Sequence, residues 1–214
     1  MRDSENKKPD ELEAEVKRLL AQYEALPIIA SVLTNLEEKL PKALVYHNLA
    51  HTLDVMHEAL YFGVHDNLRQ RELDLLALGA AYHDAGFIER VPDNEVLGAK
   101  CAIEAMQSFG GYTQEECKAV QVMIQDTRFV ADGSPNNMRQ VATTKLSGYL
   151  IDADLSNLGR EDFLAKYELV RQELGISDTL ARPRTRELIK AHDWYTPAAR
   201  ALRQERKLSN LGRF

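Results

Sequence analysis

Five residues of the chain have side chains that could bind a divalent metal and move a proton: His47, His51, the adjacent pair His83-Asp84, and Asp154. His47 and His51 are four residues apart, and on a helix this spacing puts both on one face, one turn apart. An isolated charged carboxylate at Asp84 would be costly to bury, and a bound cation would offset that cost. Two imidazoles and two carboxylates can close around one divalent metal, while a third imidazole nearby transfers a proton. The set therefore predicts the chemistry of a metal-assisted hydrolase.

The elements that must position these residues are predicted to be helices. Apolar residues recur at helical spacing, and the period-two alternation typical of strands is nowhere sustained. The first two histidines fall at the start of a helix predicted over about 46–62. The His-Asp pair falls at the end of a helix over 69–84, and Asp154 at the end of one over 138–154. Three helix ends would thus each bring an ionisable group out of an apolar run.

The predicted fold class is all-α. We expect a disordered tip at 1–8 and a single compact domain of roughly eight or nine helices over 9–214, because the gaps between helices are too short for an internal linker. Other local predictions are capping boxes at Asp10–Glu13 and Thr113–Glu116, a turn-rich loop at 132–137 and helices at about 184–194 and 197–208.

Composition and charge restrict the partners and the cellular compartment that we expect for this protein. The chain has 214 residues, a formal net charge of -6 and no basic stripe, so we expect no nucleic-acid polymer as a partner. Cys101 and Cys117 lack zinc spacing and are predicted to be reduced thiols. The polar N-terminus and the absence of a long apolar run predict a cytoplasmic protein with no membrane partner. The protein could also form a homo-oligomer.

The short motifs around the candidate ligands resemble those of the HD-domain superfamily of metal-dependent phosphohydrolases. The order H…HD…D matches, and Tyr46–Val55 and Ala153–Asn157 are similar to the first and last metal motifs of the class I cyclic-nucleotide phosphodiesterases. A wider likeness to the bacterial predicted HD-superfamily phosphohydrolases spans about 43–210. It is carried by Asp93–Glu95, Asp152–Gly159, Tyr167, Val170–Glu173 and Trp194–Thr196. The resemblance implies an HD-type helical bundle.

The resemblance also implies a role for each of the five residues. His51, His83, Asp84 and Asp154 would ligate one metal, Asp84 would in addition bridge to a second, and His47 would protonate the leaving oxygen. Manganese, iron, zinc, cobalt or nickel would suit the tight site, and magnesium or manganese a weaker second site. Asp152 competes with Asp154 for the last ligand position, but residues two apart on a helix point about 200° apart, and the motif selects Asp154.

Further residues are candidates for contacts with the substrate or with the metal ligands. These weaker candidates are Asn48, Glu95, Lys145, Asn157 and Arg160. The run Arg182–Arg186 could bind an anion at a helix start, or it is an ordinary solvated charge cluster. Three other histidines match no motif and are predicted to be surface or structural residues: His57, His65 and His192.

One position departs from the phosphodiesterase pattern. The family carries a further histidine where this chain has Phe87, and no histidine lies between His83 and Asp154. Fully liganded two-metal centres, such as those of the di-iron oxygenases on this scaffold, need such histidines. The sequence therefore favours a single tight metal, or one tight and one weakly held, and it weighs against hydrolysis of cyclic nucleotides.

The leading functional hypothesis is an enzyme, a metal-dependent phosphohydrolase. Its substrate would be a phosphomonoester or phosphodiester of a nucleotide or small phosphorylated metabolite, cleaved by metal-activated water. A cyclic-nucleotide phosphodiesterase is the enzymatic alternative. An HD module that binds metal and ligand without turnover is the alternative from a different class.

Overall fold

The described part of the chain is built almost entirely from α-helices. The computed structural model describes residues 8–89, 92–131 and 138–214. In these ranges the helices are α1 (Pro9–Glu24), α2 (Pro27–Lys39), α3 (Leu49–His65), α4 (Gln70–Tyr82), α5 (Asn94–Phe109), α6 (Gln114–Gln125), α7 (Lys145–Asp154), α8 (Phe163–Glu173), α9 (Asp178–Ala191) and α10 (Pro197–Leu211). The predicted all-α class and single domain are confirmed, with ten described helices where eight or nine were expected.

Short irregular elements join the helices next to the candidate ligands. Single 3-10 turns follow α4 and α7, at Ala85–Ile88 and Ser156–Gly159. Strand β1 (Val130–Ala131) pairs antiparallel with β2 (Met138–Arg139). The predicted loop at 132–137, and the predicted tip at 1–8 apart from Lys8, lie outside the described residues.

Helices α3, α4 and α7 form the centre of the bundle. Helix α3 packs against α1, α4 and α7, and α4 also packs against α6. Leu76, Ala77 and Ala80 of α4 are fully buried, and Leu75 and Leu78 on its other sides are nearly so. A helix that is apolar all round belongs inside a core. The ends of α3, α4 and α7 are therefore fixed by the best-packed part of the molecule.

Two glycines let α5 approach the segment that follows α4. A Cβ atom on Gly86 would lie 2.0 Å from the carbonyl oxygen of Asn94, and one on Gly98 would lie 2.5 Å from that of Tyr82. Neither distance can be accommodated without moving backbone, so only glycine permits this packing. The first turn of α5 consequently lies directly against the His-Asp pair.

Helices α1 and α2 cover one side of α3 and α4. Their apolar faces are buried, with Val16 and Ile29 fully enclosed. Among the described residues no single helix has the length and apolar character to cross a membrane; α1 and α2 pass such a test only as a pair, and they are bent by 83° relative to each other.

Several predicted helix boundaries were wrong. Helix α7 starts at Lys145, capped by the Thr144 side chain, and not at Met138, which belongs to β2. Helix α9 starts at Asp178, six residues earlier than predicted. The box at Asp10 is absent because α1 begins at Pro9, with Lys8 in the capping position.

One predicted capping box is confirmed, and one further helix end differs from the prediction. Thr113 and Glu116 form the expected capping box at the start of α6. Helix α3 does not stop before Gly63, as predicted, but runs through it to His65. A Cβ on Gly63 would lie 2.7 Å from a methyl group of Leu73, so this glycine serves close packing with α4.

Asp152 ties α7 to the start of α10. Its buried carboxylate accepts hydrogen bonds from the backbone N–H groups of Tyr195 and Thr196 and from the Thr196 hydroxyl. The Thr196 oxygen in turn caps α10 by accepting from the N–H of Ala199. Asp152 is thus committed to joining two helices.

His192 has a structural environment, as predicted. Its ring packs edge-on against Trp194, with centroids 4.3 Å apart, and the Lys207 amine lies 3.4 Å from Nδ1. Burial and the positive charge of Lys207 lower the pKa of His192 to about 3. The native state therefore keeps this imidazole neutral over a pH range in which an unfolded chain would protonate it.

We expect His192 to make the fold acid-sensitive. A histidine in the unfolded chain has a pKa of about 6.5, so stability is lost as the pH falls below that value, by about 2 kcal/mol at pH 5. The substitution His192→Gln should shrink the loss of unfolding free energy between pH 8 and pH 5 by roughly that amount. Urea unfolding at both pH values measures it; equal losses in the two proteins would contradict the assignment.

Candidate metal centre

Four side chains from separate parts of the chain meet at one point inside the bundle. His51 lies in the first turn of α3, His83 and Asp84 directly follow α4, and Asp154 is the last residue of α7. The Nε2 atom of His51 is 3.2 Å from Asp154 Oδ1 and 3.5 Å from Asp84 Oδ2. The Nε2 atom of His83 is 3.2 Å from Asp84 Oδ2 and 3.8 Å from Asp154 Oδ1. The structure thus brings these four predicted residues together.

The atoms that face this point lack other partners. His51 Nε2, His83 Nε2 and Asp84 Oδ2 are buried without a hydrogen bond. His83 Nδ1 lies 2.7 Å from the Ala80 carbonyl oxygen. Since a carbonyl can only accept, Nδ1 donates to it, and Nε2 is the nitrogen that faces the cluster. Buried polar atoms rarely remain unpaired, so the arrangement suits a bound cation.

The spacing of the four atoms also fits one cation. Ligand atoms about 2.0–2.2 Å from a metal lie roughly 3.0–3.5 Å from one another in tetrahedral or octahedral geometry. The contacts of 3.2 to 3.8 Å described above are close to this range. The His and Asp donors therefore fit a divalent metal, which His51, His83, Asp84 and Asp154 could hold.

Each carboxylate is held by an amide through its second oxygen. Asn94, the first residue of α5, donates to Asp84 Oδ1 at 3.3 Å. Gln140 donates to Asp154 Oδ2 at 2.7 Å and to the Thr127 carbonyl at 2.6 Å. Such outer contacts orient metal-binding groups.

The charges of the cluster stabilise one another. Burial alone would lower the pKa of His83, but Asp84 and Asp154 raise it to about 9. Burial alone would raise the pKa of Asp84, but the imidazoles of His83, His47 and His51 hold it well below its usual value. A protonated His83 thus balances the charge of the carboxylates, and a metal ion would replace that proton.

His47 lies beside the cluster. It is not part of α3, although the sequence predicted a helix that would include it. Helix α3 begins at Leu49, and the Asn48 side chain caps it by accepting from the His51 N–H. His47 approaches His51 from the preceding turn, with ring centroids 5.5 Å apart and nitrogen atoms close enough to share a cation with His51 and Asp84.

Glu173, the last residue of α8, fixes the position of His47. Its Oε2 accepts hydrogen bonds from the backbone N–H groups of Tyr46 and His47, and its Oε1 bonds to His47 Nδ1. Burial alone would lower the pKa of His47, but the bond to Glu173 and the charge of Asp84 raise it above its usual value. The imidazole is therefore held in place through Nδ1.

A cavity of about 350 Å³ opens beside the cluster. It is bordered by His47, Asp84 and Asp154 at one end and by α8 and α9 at the other. Of the weaker candidates, Glu95 and Asn157 line it, and the buried Asn157 Oδ1 has no hydrogen-bond partner. A volume of this size is typical of small-molecule sites.

The structure does not bring the predicted phosphate-binding cations to this cavity. Lys145 is at the opposite end of α7 from Asp154 and pairs with Glu72. Arg160 is engaged by Asp54 and Asp162. The run Arg182–Arg186 lies inside α9 and not at a helix start, since α9 begins at Asp178.

The remaining predicted histidines and Phe87 have ordinary partners. His57 pairs with Glu13, and His65 with Asp66. Phe87, at the position where the phosphodiesterase pattern has a further histidine, packs against His47 with centroids 4.9 Å apart and lines the cavity.

Two residues that hold side chains of the site in place were not identified from the sequence. Gln140 falls in a segment that was predicted to be helical, and its position beside Asp154 results from the short β1–β2 pair. Glu173 was noticed only as part of a resembling run, and 126 residues separate it from His47. Neither position carries a local signal; both depend on tertiary packing.

Scans against models of protein families found no match to this chain, and a search of curated proteins found none either. The all-helical fold and its His/Asp cluster, which could bind metal, fit an HD-like fold in general terms.

We expect the cluster to retain a divalent metal. After loading with Mn²⁺ or Zn²⁺ and exhaustive dialysis, the protein should keep about one equivalent, and His51→Ala or Asp154→Asn should weaken binding more than about tenfold. Elemental analysis and metal titration measure both. The control is His65→Ala, on the same helix as His51 but at its other end, which should bind as the wild type does. Retention of metal by both ligand variants would refute the assignment.

Proposed function

We propose that the protein is a metal-dependent phosphohydrolase that cleaves a phosphate ester at the His/Asp cluster. The observation that carries the proposal is the convergence of three unpartnered buried ligand atoms, on His51, His83 and Asp84, next to an imidazole held by a carboxylate. All of these groups border one cavity or lie directly behind its wall. A divalent cation bound there would supply an activated water near neutral pH and neutralise charge on phosphoryl oxygens.

The protein's own groups divide the remaining tasks. The cation would be held by His51, His83, Asp84 and Asp154. From the resemblance to the HD superfamily we expect it to be manganese, iron, zinc, cobalt or nickel. Asn94 and Gln140 keep the two carboxylates in their orientation through the contacts described above. The buried surroundings exclude bulk solvent and strengthen each electrostatic interaction.

His47 would move the proton. Glu173 engages Nδ1, which leaves Nε2 as the nitrogen that can donate to a leaving oxygen in the cavity. The Glu173 carboxylate also accepts hydrogen bonds from the backbone N–H groups of Tyr46 and His47, and these bonds hold the backbone that carries the ring. An ester whose alcohol leaves as a poorly stabilised alkoxide needs such a donor most.

The function is tested by a screen of phosphomonoesters and phosphodiesters with Mn²⁺, Mg²⁺, Co²⁺ and Ni²⁺. We expect metal-dependent release of phosphate or of a phosphomonoester, lost by at least about a hundredfold in His51→Ala and Asp84→Asn. His65→Ala is the control. Stoichiometric metal without turnover of any ester would instead support a binding module.

The proton-donor role predicts a dependence on the leaving group. The variant His47→Gln should lose roughly 10²- to 10⁴-fold in kcat on alkyl phosphates, and much less on p-nitrophenyl phosphate, whose leaving group needs no proton. Steady-state kinetics on both substrates measure the difference. Equal losses on both would contradict a donor role, and Glu173→Gln, which retains a hydrogen-bonding group, should show a weaker form of the same pattern.

A further inference from the structure

The cavity beside the cluster continues into a second one of about 330 Å³ along α8 and α9. The two cavities share six residues: Phe129, Tyr167, Val170, Leu174, Thr185 and Leu188. Together they form one groove that begins at His47, Asp84 and Asp154 and ends between the two helices. A molecule bound at the cluster would extend along this groove.

The wall of the groove is apolar. Five of the six shared residues are aromatic or aliphatic. Among the described residues, no lysine or arginine lines the half that contains the cluster. In the far half, Arg171 is engaged by Glu168 and the Ile176 carbonyl, while Arg184 is exposed on α9. The groove thus has one polar end, at the cluster, and a long apolar wall.

Two large apolar side chains are exposed at the rim of the groove. Leu174 is 61% exposed and borders both cavities, and Met138 is 46% exposed and borders the second. Large apolar side chains grouped around the mouth of a cavity mark a ligand site more than scattered exposed ones do.

Resting on the proposed function, we infer that the substrate is a singly phosphorylated ester whose organic group is uncharged and apolar, an alkyl chain or an aryl ring. The phosphoryl group lies at the His/Asp cluster and the organic group lies between α8 and α9. A polyphosphate would need cations that the described wall of the cluster half does not offer. A sugar lying between α8 and α9 would place hydroxyl groups against the apolar side chains of Val170, Leu174 and Leu188, where their burial is costly.

The test is a homologous series of alkyl phosphates from butyl to heptyl. Their leaving groups have the same basicity, so differences in kcat/KM report the burial of the chain. We expect a rise of about fourfold for each added methylene, through a lower KM, until the groove is filled. Heptyl phosphate should be preferred over AMP and ATP. A flat series, or a preference for the nucleotides, would overturn the inference.

A charge in the wall should remove the dependence on chain length. Leu188→Asp puts a carboxylate between the two cavities, and we expect it to flatten the series. The matched control is Leu208→Asp, an exposed leucine of α10 outside the groove, which should leave the slope unchanged. Metal retention by both variants shows that the cluster is intact. An unchanged slope in Leu188→Asp would overturn the placement of the organic group.

Binding of alkylphosphonates, which cannot be hydrolysed, separates the two proposals. Calorimetric affinity that rises with chain length, without turnover of any ester, supports the apolar groove and refutes the hydrolase. Turnover of esters with no effect of chain length on either binding or KM supports the hydrolase and refutes the groove. Absence of both refutes both.

Discussion

The burial of two carboxylates and two imidazoles at the meeting point of three central helices is the constraint on which this structure depends. Asp84 and His83 are 8% and 1% exposed, and α3, α4 and α7, which carry or precede the cluster residues, each bury more than half of their residues. Lone pairs of His51 and His83 face carboxylate oxygens, so the groups can satisfy one another only by taking up protons or a cation. Because protons and a metal compete for the same atoms, occupancy of the cluster and stability of the fold are coupled.

The four residues of the cluster could be predicted from the sequence because each has a local signal. His51, His83, Asp84 and Asp154 each stand at the end of an apolar helical run, where an ionisable group is conspicuous. Helix periodicity indicates that only one of Asp152 and Asp154 can face the cluster, and the motif resemblance selected Asp154; the structure shows Asp152 facing Tyr195 and Thr196 instead. The family likeness rests on these same short motifs.

The rest could not be predicted, because it depends on contacts between distant parts of the chain. Glu173 meets His47 only when the end of α8 packs against the turn before α3. Gln140 reaches Asp154 because the residues before α7 are extended and not helical. Lys145 was chosen as a candidate for its charge alone; it lies nine residues before Asp154 on α7, about 14 Å along the helix, and pairs with Glu72.

The position of Glu173 on α8 determines which residues of the groove can be substituted without moving His47. Val170 and Leu174, one turn before and directly after Glu173, belong to the apolar wall, so α8 both borders the groove and orients His47. A bulky replacement on α8 would shift the His47 imidazole along with the wall. Thr185 and Leu188 on α9 border the same space without touching that imidazole. Relatives of this chain that have acquired different specificities should therefore vary on α9 and remain nearly invariant on the inner face of α8.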